Sequence, residues 1–183
     1  MTLFLEALRF SAQKHCDQRR KDSAASPYIN HPIEVAWLLW TIGGVQDESA
    51  ILAAILHDTI EDTDAKPEEI RACFGDEVLK LVLEMSDDKS LPKQERKREQ
   101  IAHSPRLSLR AKQIRLADKI CNVHDIAFSP PDGWPLARRI DYLEWAREVI
   151  DGLRGANAML EERFDETLAL ARQKLTSESE GNP

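Results

Sequence analysis

Residues 47–64 read DESAILAAILHDTIEDTD, and this stretch carries the strongest indications of fold and chemistry in the sequence. Its apolar run over residues 50–56 is hydrophobic on nearly every side of a helix, which predicts a central buried helix. Asp47 is a favourable residue for capping the first turn, so we expect this helix to cover residues 48–58. The apolar run is too short to span a membrane, which takes about twenty apolar residues.

Apolar residues at helical spacing extend outward from this stretch through almost the whole chain. No segment alternates apolar and polar residues as a half-buried strand does. We therefore expect one all-α domain, a compact bundle of about eight to ten helices over residues 1–175, and a frayed tail over residues 176–183. The predicted helices cover residues 4–19, 32–43, 48–58, 67–74, 76–85, 93–103, 109–128, 136–150 and 155–175.

The composition is that of a globular protein. Apolar residues make up 42% of the 183 residues and charged residues 31%, which excludes a disordered chain and a collagen. The net charge of −7 argues against a nucleic-acid polymer as partner, because such partners require a basic face. Three cysteines without a CxxC pair predict reduced thiols, and the N-terminus does not resemble a signal peptide. We expect a cytoplasmic protein that associates with neither nucleic acid nor membrane.

Acidic residues gather directly after the apolar run. If the helix continues for one more turn, His57 shares a face with Glu61, and Asp58 shares a face with Asp62. Carboxylates crowded in this way repel one another strongly at low dielectric unless a cation lies among them. A divalent metal ion is the simplest cation that would relieve the repulsion.

Two residues farther along the chain suit the same site. Pro32 places His31 at the start of a predicted helix, and Asp118 interrupts an apolar helix face, where a carboxylate needs a partner. Two imidazoles and two carboxylates favour Mn²⁺ or Fe²⁺ over structural zinc. Each residue also has a structural alternative. His31 suits a hydrogen-bonded core histidine, Asp118 an ion pair with Arg115 or Lys119, and the acidic residues a solvated loop.

Basic residues are concentrated in two stretches, residues 89–98 and residues 19–21. These cations either clamp the phosphates of a substrate or serve only solubility. Tyr142 either stacks on a base or belongs to the core. Trp37 and Trp40 belong either to the core or to an interface. The other histidines, which we expect at the surface or at helix ends, are His15, His103 and His124. The cysteines, which we expect as small core residues, are Cys16, Cys73 and Cys121.

His31, His57-Asp58 and Asp118, in this order, resemble the metal-binding motif of the HD superfamily of phosphohydrolases. The flanking residues are similar to the hydrolase domain of the RelA/SpoT alarmone enzymes, above all to its small stand-alone members. The resemblance covers residues 5–162, and the chain is too short to include the synthetase domain of the long enzymes. The motifs that carry it are RRKD (19–22), PYINHP (27–32), LHDTIEDT (56–63), FG (74–75) and LADKICN (116–122). One departure is His124, where the family more often has arginine.

The resemblance implies an HD-domain hydrolase of the stringent response. Its reaction removes the 3′-diphosphate of guanosine 3′,5′-bis(diphosphate) (ppGpp), or of the pentaphosphate pppGpp, as pyrophosphate and leaves GDP or GTP. The family metal is Mn²⁺. By motif, the metal ligands are His31, His57, Asp58 and Asp118, and the catalytic acidic pair is Glu61 and Asp62. The positions that match the nucleotide pocket are Arg20, Lys21, Lys93, Asn122, Arg138 and Tyr142.

Other functions remain open from the sequence. The same site can serve an adenosine alarmone or remove the 2′-phosphate of NADPH, because a few pocket contacts decide base selectivity. A 5′-nucleotidase of the wider superfamily is disfavoured by the Glu61-Asp62 pair and by the basic stretch. A non-catalytic nucleotide-binding module is disfavoured because every expected ligand and both acids are present. The sequence does not determine the oligomeric state.

Overall fold

The computed structural model describes residues 2–180, and these residues form helices and no β-strand. The all-α class predicted from the sequence is confirmed. No helix within this part of the chain is both long enough and apolar enough to cross a membrane. The helices are α1 (Thr2–Lys14), α2 (Asn30–Thr41), α3 (Glu48–Leu56), α4 (Thr59–Asp62), α5 (Pro67–Met85), α6 (Lys93–His103), a 3₁₀ helix (Ser104–Arg106), α7 (Leu109–Phe128), α8 (Leu136–Asp151) and α9 (Ala158–Glu180).

Helix α3 lies at the centre of the core, as its apolar sequence predicts. Every residue from Ala50 to Leu56 is buried, and α1, α2, α5 and α7 pack around the helix. Helix α9 in turn packs along α7. Burial of apolar surface stabilises the fold by about 25 cal/mol per Å². This packing therefore holds α2, α7 and the C-terminal end of α3 in fixed positions relative to one another.

Different side-chain hydrogen bonds determine where α3 begins and where it ends. Asp47 caps the N-terminus, and its Oδ1 accepts a hydrogen bond from the backbone N–H of Ala50 at 2.9 Å. The C-terminus comes at Leu56, two residues before the predicted end at Asp58. The hydroxyl of Thr59 donates to the carbonyl of Leu56 at 2.6 Å and so replaces a helical partner. His57 and Asp58 consequently form a turn between α3 and α4.

Helix α1 ends at Lys14 and not, as predicted, near residue 19. The following segment folds back on itself. The N–H of Arg20 donates to the carbonyl of Ser26 at 2.7 Å, and the N–H of Tyr28 donates to the carbonyl of Gln18 at 3.2 Å. These backbone bonds close a loop over residues 18–28 in place of a further helical turn, and the loop leads directly to the start of α2.

Helix α9 is longer than the sequence predicts, and the frayed tail is wrong for residues 176–180. The helix runs to Glu180, and the guanidinium of Arg139 on α8 donates to the carboxylate of Glu178 at 2.6 Å. This ion pair fastens the last turn to the neighbouring helix. Residues 181–183 lie outside the described part of the chain. The predicted break at Gly75 is confirmed, since this glycine has a φ of 86° within α5.

Several predictions for single side chains are wrong. Cys16 and Cys73 are exposed, and only Cys121 of the three cysteines is a core residue. His15 lies at the end of α1, one of the two expected positions, but it is buried, and its ring stacks on Tyr28 with the centroids 4.7 Å apart. His103 and His124 are exposed as expected. Trp37 and Trp40 keep 50% and 48% of their surface exposed, so neither belongs to the core.

Candidate active site

The four side chains proposed as metal ligands lie at one place, where three segments of the core meet. His31 is on the first turn of α2, and His57 and Asp58 form the turn after α3. Asp118 lies in the middle of α7, on the face that packs toward α2 and α3. All four are largely buried, with between 2% and 19% of each side chain exposed.

The ligand atoms of these residues form a compact cluster. Nε2 of His31 lies 3.2 Å from Oδ1 of Asp118 and 3.7 Å from Oδ2 of Asp58. Nε2 of His57 lies 3.1 Å from Oδ2 of Asp58 and 3.9 Å from Oδ1 of Asp118. Nitrogen and oxygen ligands at about 2.1 Å from one ion lie about 3–4 Å from each other. The ligand atoms of His31, His57 and Asp118 all lie within 4.8 Å of one another, which fits three ligands around a single cation. Asp58 adjoins both histidines.

The hydrogen bonds around the cluster orient the ligands toward its centre. Nδ1 of His57 is 2.8 Å from the carbonyl of Ala54, which places the proton on Nδ1 and leaves the lone pair on Nε2. Nε2 of His57 is buried and faces only the carboxylates of Asp58 and Asp118, with no well-aligned hydrogen bond to either within residues 2–180. Oδ2 of Asp118 accepts from Lys119 at 3.0 Å, and Oδ1, which accepts from Asn122 at 2.5 Å, faces the histidines. An orphaned buried nitrogen with a fixed tautomer is what a metal ligand requires, so the donor set fits a divalent ion.

The charges in the cluster perturb one another. Burial lowers the pKa of His57, but Asp58 and Asp118 outweigh burial and raise this pKa to about 9. Burial raises the pKa of Asp58, whereas His57 and His31 outweigh it and hold that pKa below its usual range. Burial also opposes ionisation of Asp118, whose pKa is nonetheless lowered by Lys119 and His31. The carboxylates of Asp58 and Asp118 thus stay ionised. Their negative charge has to be balanced by a proton on a histidine or by a metal ion.

The acidic pair Glu61 and Asp62 is on α4, one turn beyond the cluster. Oε2 of Glu61 accepts from the backbone N–H of Asp87 at 2.9 Å, and Oε1 is 3.7 Å from a guanidinium nitrogen of Arg96. Burial is the main cause that raises the pKa of Glu61 to about 7. Asp62 forms an ion pair with Lys89 through Oδ1. The two neighbouring carboxylates therefore have different surroundings.

Tyr28 connects the cluster to the acidic pair. Its hydroxyl donates to Oδ2 of Asp58 at 2.6 Å and lies 3.4 Å from Oδ2 of Asp62. Burial and the nearby Asp58 raise the pKa of Tyr28, so the hydroxyl remains protonated and a donor. On its other side the ring stacks on His15, whose Nδ1 is 2.7 Å from Oε1 of Gln18.

A cavity of about 450 Å³ opens beside Asp62 and Tyr28. Four of the six predicted nucleotide contacts line it, namely Arg20, Lys21, Asn122 and Tyr142. Arg20 forms an ion pair with Asp125 in its wall. The other two predicted contacts, Lys93 and Arg138, line a second cavity, which we call the basic cavity. The two cavities share Trp134 and Tyr142.

Sequence reasoning missed several residues of this region. Tyr28 lies three positions before His31 in the PYINHP motif, yet no pattern indicated that its hydroxyl would reach Asp58. Asp125, one turn after Cys121 on α7, faces Arg20 across the cavity, and a helical wheel centred on Asp118 would have suggested it. His15 could not be found from sequence, because its role depends on the loop that brings Tyr28 back onto α1.

The profile of the HD domain matches residues 7–147, which is most of the chain. The buried cluster of two histidines and two aspartates lies within these residues. The chain therefore belongs to the HD domain family, whose fold implies binding of a divalent metal ion.

Individual relatives are similar over almost their whole length. The guanosine-3′,5′-bis(diphosphate) 3′-pyrophosphohydrolase MESH1 of Xenopus tropicalis is 50% identical over 163 residues, which is 89% of this chain and 91% of the relative. The protein of the same name from Homo sapiens is 49% identical over 158 residues, 86% of this chain and 88% of the relative. A solved structure of a metazoan ortholog of SpoT, which hydrolyzes ppGpp and plays a role in starvation responses, superposes with a TM-score of 0.90 at 47% identity and covers 93% of this chain and 96% of its own.

Proposed function

We propose that this protein is a guanosine-3′,5′-bis(diphosphate) 3′-pyrophosphohydrolase that depends on a divalent metal ion. The proposal is carried by the convergence of His31, His57 and Asp118, with Asp58 beside the two histidines, next to a nucleotide-sized cavity. It is supported by relatives named for this activity that match nearly the whole chain at about half identity. The products are then GDP from ppGpp, GTP from pppGpp, and pyrophosphate from either.

We propose Mn²⁺ as the metal and these four residues as its ligands. The mixed nitrogen and oxygen donor set supports this choice, because neutral imidazole and carboxylate together suit manganese and iron better than the thiolate sets of structural zinc. When bound, such an ion lowers the pKa of a coordinated water and neutralises charge on the phosphate under attack. Lys119 and the carbonyl of Ala54 hold Asp118 and His57 in the orientation that this requires.

Glu61 is proposed as the general base. The reaction adds a water oxygen to the phosphorus that bears O3′ and breaks the bond between that phosphorus and O3′. One proton of the water passes to Glu61, which then returns it to O3′, so that O3′ leaves as the 3′-hydroxyl of GDP or GTP. A carboxylate whose pKa lies near 7 accepts a proton efficiently at neutral pH. Asp62, already paired with Lys89 and close to Tyr28, is proposed to position the water and the phosphate.

The nucleotide is proposed to occupy the cavity beside Asp62. Arg20 and Lys21 line this cavity and are proposed to contact phosphate or ribose oxygens. Asn122 also lines it and donates to Asp118 at 2.5 Å. Tyr142 offers a ring for stacking. Lys93 and Arg138 complete the set from the basic cavity. We also propose a cytoplasmic location, which the free and exposed thiols of Cys16 and Cys73 support.

The experiment that tests this function is a substrate panel. Metal-free protein is reloaded with Mn²⁺ and incubated with ppGpp, pppGpp, the adenosine tetraphosphate and pentaphosphate, NADPH and deoxynucleoside monophosphates, and the products are separated by ion-exchange chromatography. We expect GDP or GTP and an equal amount of pyrophosphate from the guanosine compounds. Turnover of the adenosine compounds or of NADPH alone would assign the site to those substrates. Tight binding without turnover would identify a non-catalytic module.

A further inference from the structure

The basic cavity, about 580 Å³ in volume, lies between α6 and α8. On α6, Lys93 and Lys97 are one turn apart and face the same side. On α8, Arg138 and Tyr142 are likewise one turn apart. Because Trp134 and Tyr142 also line the nucleotide cavity, the two spaces adjoin and a chain of phosphates can extend from one into the other.

The cations of the basic cavity have no acidic partners. Among residues 2–180, the ion pairs nearest to them join Lys89 to Asp62 and Arg96 to Glu61. No ion pair within this part of the chain involves Lys93, Lys97 or Arg138. The neighbouring residue Arg139, by contrast, is fully paired with Glu178. Asp141 is the one carboxylate in the lining, and it forms no ion pair with the cations of the cavity within residues 2–180. In a protein with a net charge of −7, several cations that lack ion pairs indicate that an anion is bound from outside.

These cations also disfavour one another. Partial burial, together with Arg138 and Lys21, lowers the pKa of Lys93. Partial burial and Lys93 lower the pKa of Lys97, against a smaller opposing effect of Asp141. An anion in the cavity would relieve both the repulsion and the cost of desolvation.

Aromatic rings hold the cations in place without neutralising them. Nζ of Lys97 is 4.6 Å from the ring centroid of Trp145 and 5.6 Å from that of Tyr142. The indole N–H of Trp145 donates to the carbonyl of Lys97 at 3.1 Å, so backbone and side chain are both fixed. The guanidinium of Arg138 lies 3.9 Å from the ring centroid of Trp134. Such contacts restrict the side chain and leave its charge available to a ligand.

We propose that Lys97 of the basic cavity contacts the third phosphate of a 5′-triphosphate substrate, beyond the phosphates that Lys93 and Arg138 reach under the proposed function. This inference rests on the proposed function. With the 3′-diphosphate at the metal ligands and the nucleoside in the adjoining cavity, the 5′-phosphates extend past Tyr142 toward Lys93 and Arg138. Lys97 is one helical turn farther along α6, which is where an additional phosphate would lie. The cavity thereby favours a pentaphosphate over a tetraphosphate.

The test uses guanosine 3′-diphosphates that carry one, two or three phosphates at the 5′ position. For Lys97→Met, we expect kcat/KM to fall by a factor that grows with the number of 5′-phosphates and reaches about tenfold for the triphosphate, the loss of one charge-assisted contact. Lys97→Arg keeps the charge and should restore most of the preference. The matched control is Lys80→Met, at an exposed lysine on α5, which should leave all three values unchanged.

Two results would overturn this inference. If Lys97→Met lowered kcat/KM equally for the three nucleotides, or for none of them, the terminal phosphates would not lie at Lys97 while the proposed function would stand. If the wild-type protein hydrolysed none of the three, the proposed function would fail and the subsite with it. The wild-type rates and the variant's ratios thus separate the two failures.

Discussion

At the candidate ligands, groups that are costly to bury singly stabilise one another. The carboxylates of Asp58 and Asp118 are ionised, the imidazoles of His31 and His57 lie against them, and Nε2 of His57 has no hydrogen-bond partner within the described chain. A buried polar atom without a partner costs about 1–3 kcal/mol. These residues therefore require a cation among them. We expect loss of a ligand to abolish metal binding and turnover together.

Variants of the ligands and of the acidic pair should separate metal binding from turnover. We expect His57→Ala and Asp118→Asn to lose both together. We expect Glu61→Gln to keep the metal, because Glu61 is not part of the cluster, and to reduce kcat by a factor of about 10²–10⁴, typical for loss of a general base. Calorimetric titration with Mn²⁺ and an assay of pyrophosphate release measure the two properties.

The control for these variants is His103→Ala, at an exposed histidine on α6 whose only ion pair within residues 2–180 is with Glu99. It should alter neither property. Wild-type turnover in Glu61→Gln, in Asp62→Asn and in the double variant would refute the role of the acidic pair. Undiminished Mn²⁺ affinity in Asp118→Asn would refute the ligand set.

The raised pKa of Glu61 predicts how kcat depends on pH. Below about pH 7 this carboxyl group is protonated and cannot accept a proton, and above it the group is a carboxylate. With Glu61 as base, kcat should therefore rise with pH and level off above about 7. The charged groups facing Glu61 are Asp58, Asp62, Asp87 and, of opposite sign, Arg96. The profile of kcat at saturating ppGpp and Mn²⁺ measures this.

The same profile in a variant identifies its source. Arg96→Gln removes the cation near Glu61 and should move the rise of kcat to higher pH. Lys80→Met should leave the pH of this rise unchanged. A kcat that falls as pH rises through 7 would contradict the base assignment and make Glu61 a proton donor.

At the scale of elements, the start of α3 is set by one side chain. Asp47→Ala removes the acceptor of the Ala50 N–H and should lower the free energy of unfolding by about 1 kcal/mol. Asp47→Asn is the matched control, since it keeps an acceptor and removes only the charge that lies 3.7 Å from Arg110. Urea denaturation measures both. Equal destabilisation by the two substitutions would show that charge, and not capping, stabilises this end.

Which helices form could be predicted from the sequence. Their apolar residues recur at helical spacing, and Asp47, Pro92 and Gly75 mark boundaries through capping, a restricted φ and a positive φ. The helix over Leu109–Phe128 has the predicted bounds, and α6 begins directly after Pro92. These features depend on local chemistry, which a single sequence contains.

Boundaries set by distant partners could not be predicted. Helix α1 ends at Lys14 because the loop returns to pair Arg20 with Ser26, and α9 continues because Arg139 reaches Glu178. The convergence of His31, His57 and Asp118 could be predicted, because each of these residues is unusual for its surroundings. Tyr28 was not, because a tyrosine before a helix has many uses and its contact with Asp58 exists only in the folded chain.

At the scale of the whole molecule, the ligand cluster joins α2, the turn after α3, and α7 at the centre of the core. A ligand that binds only the folded state stabilises it by RT ln(1 + [L]/Kd), about 2.7 kcal/mol at one hundred times Kd. For a domain of this size we expect Mn²⁺ to raise Tm by about 5–10 °C. Scanning calorimetry on metal-free and reloaded protein measures the shift.

The Asp118→Asn variant is the matched control for this shift. It should unfold at a temperature that Mn²⁺ changes little, because one of the charged ligands is absent. A wild-type Tm that does not respond to Mn²⁺, or an equal response in Asp118→Asn, would show that the ion does not bind at the junction of these helices.

Titration of the metal-free protein with Mn²⁺, with pyrophosphate release from ppGpp followed at each step, tests the central proposal most directly. One ion at the four converging ligands predicts that release begins with the added metal, reaches its maximum at one equivalent per chain, and is absent from Asp118→Asn at every ratio. Full release from metal-free protein, or from Asp118→Asn, would contradict it.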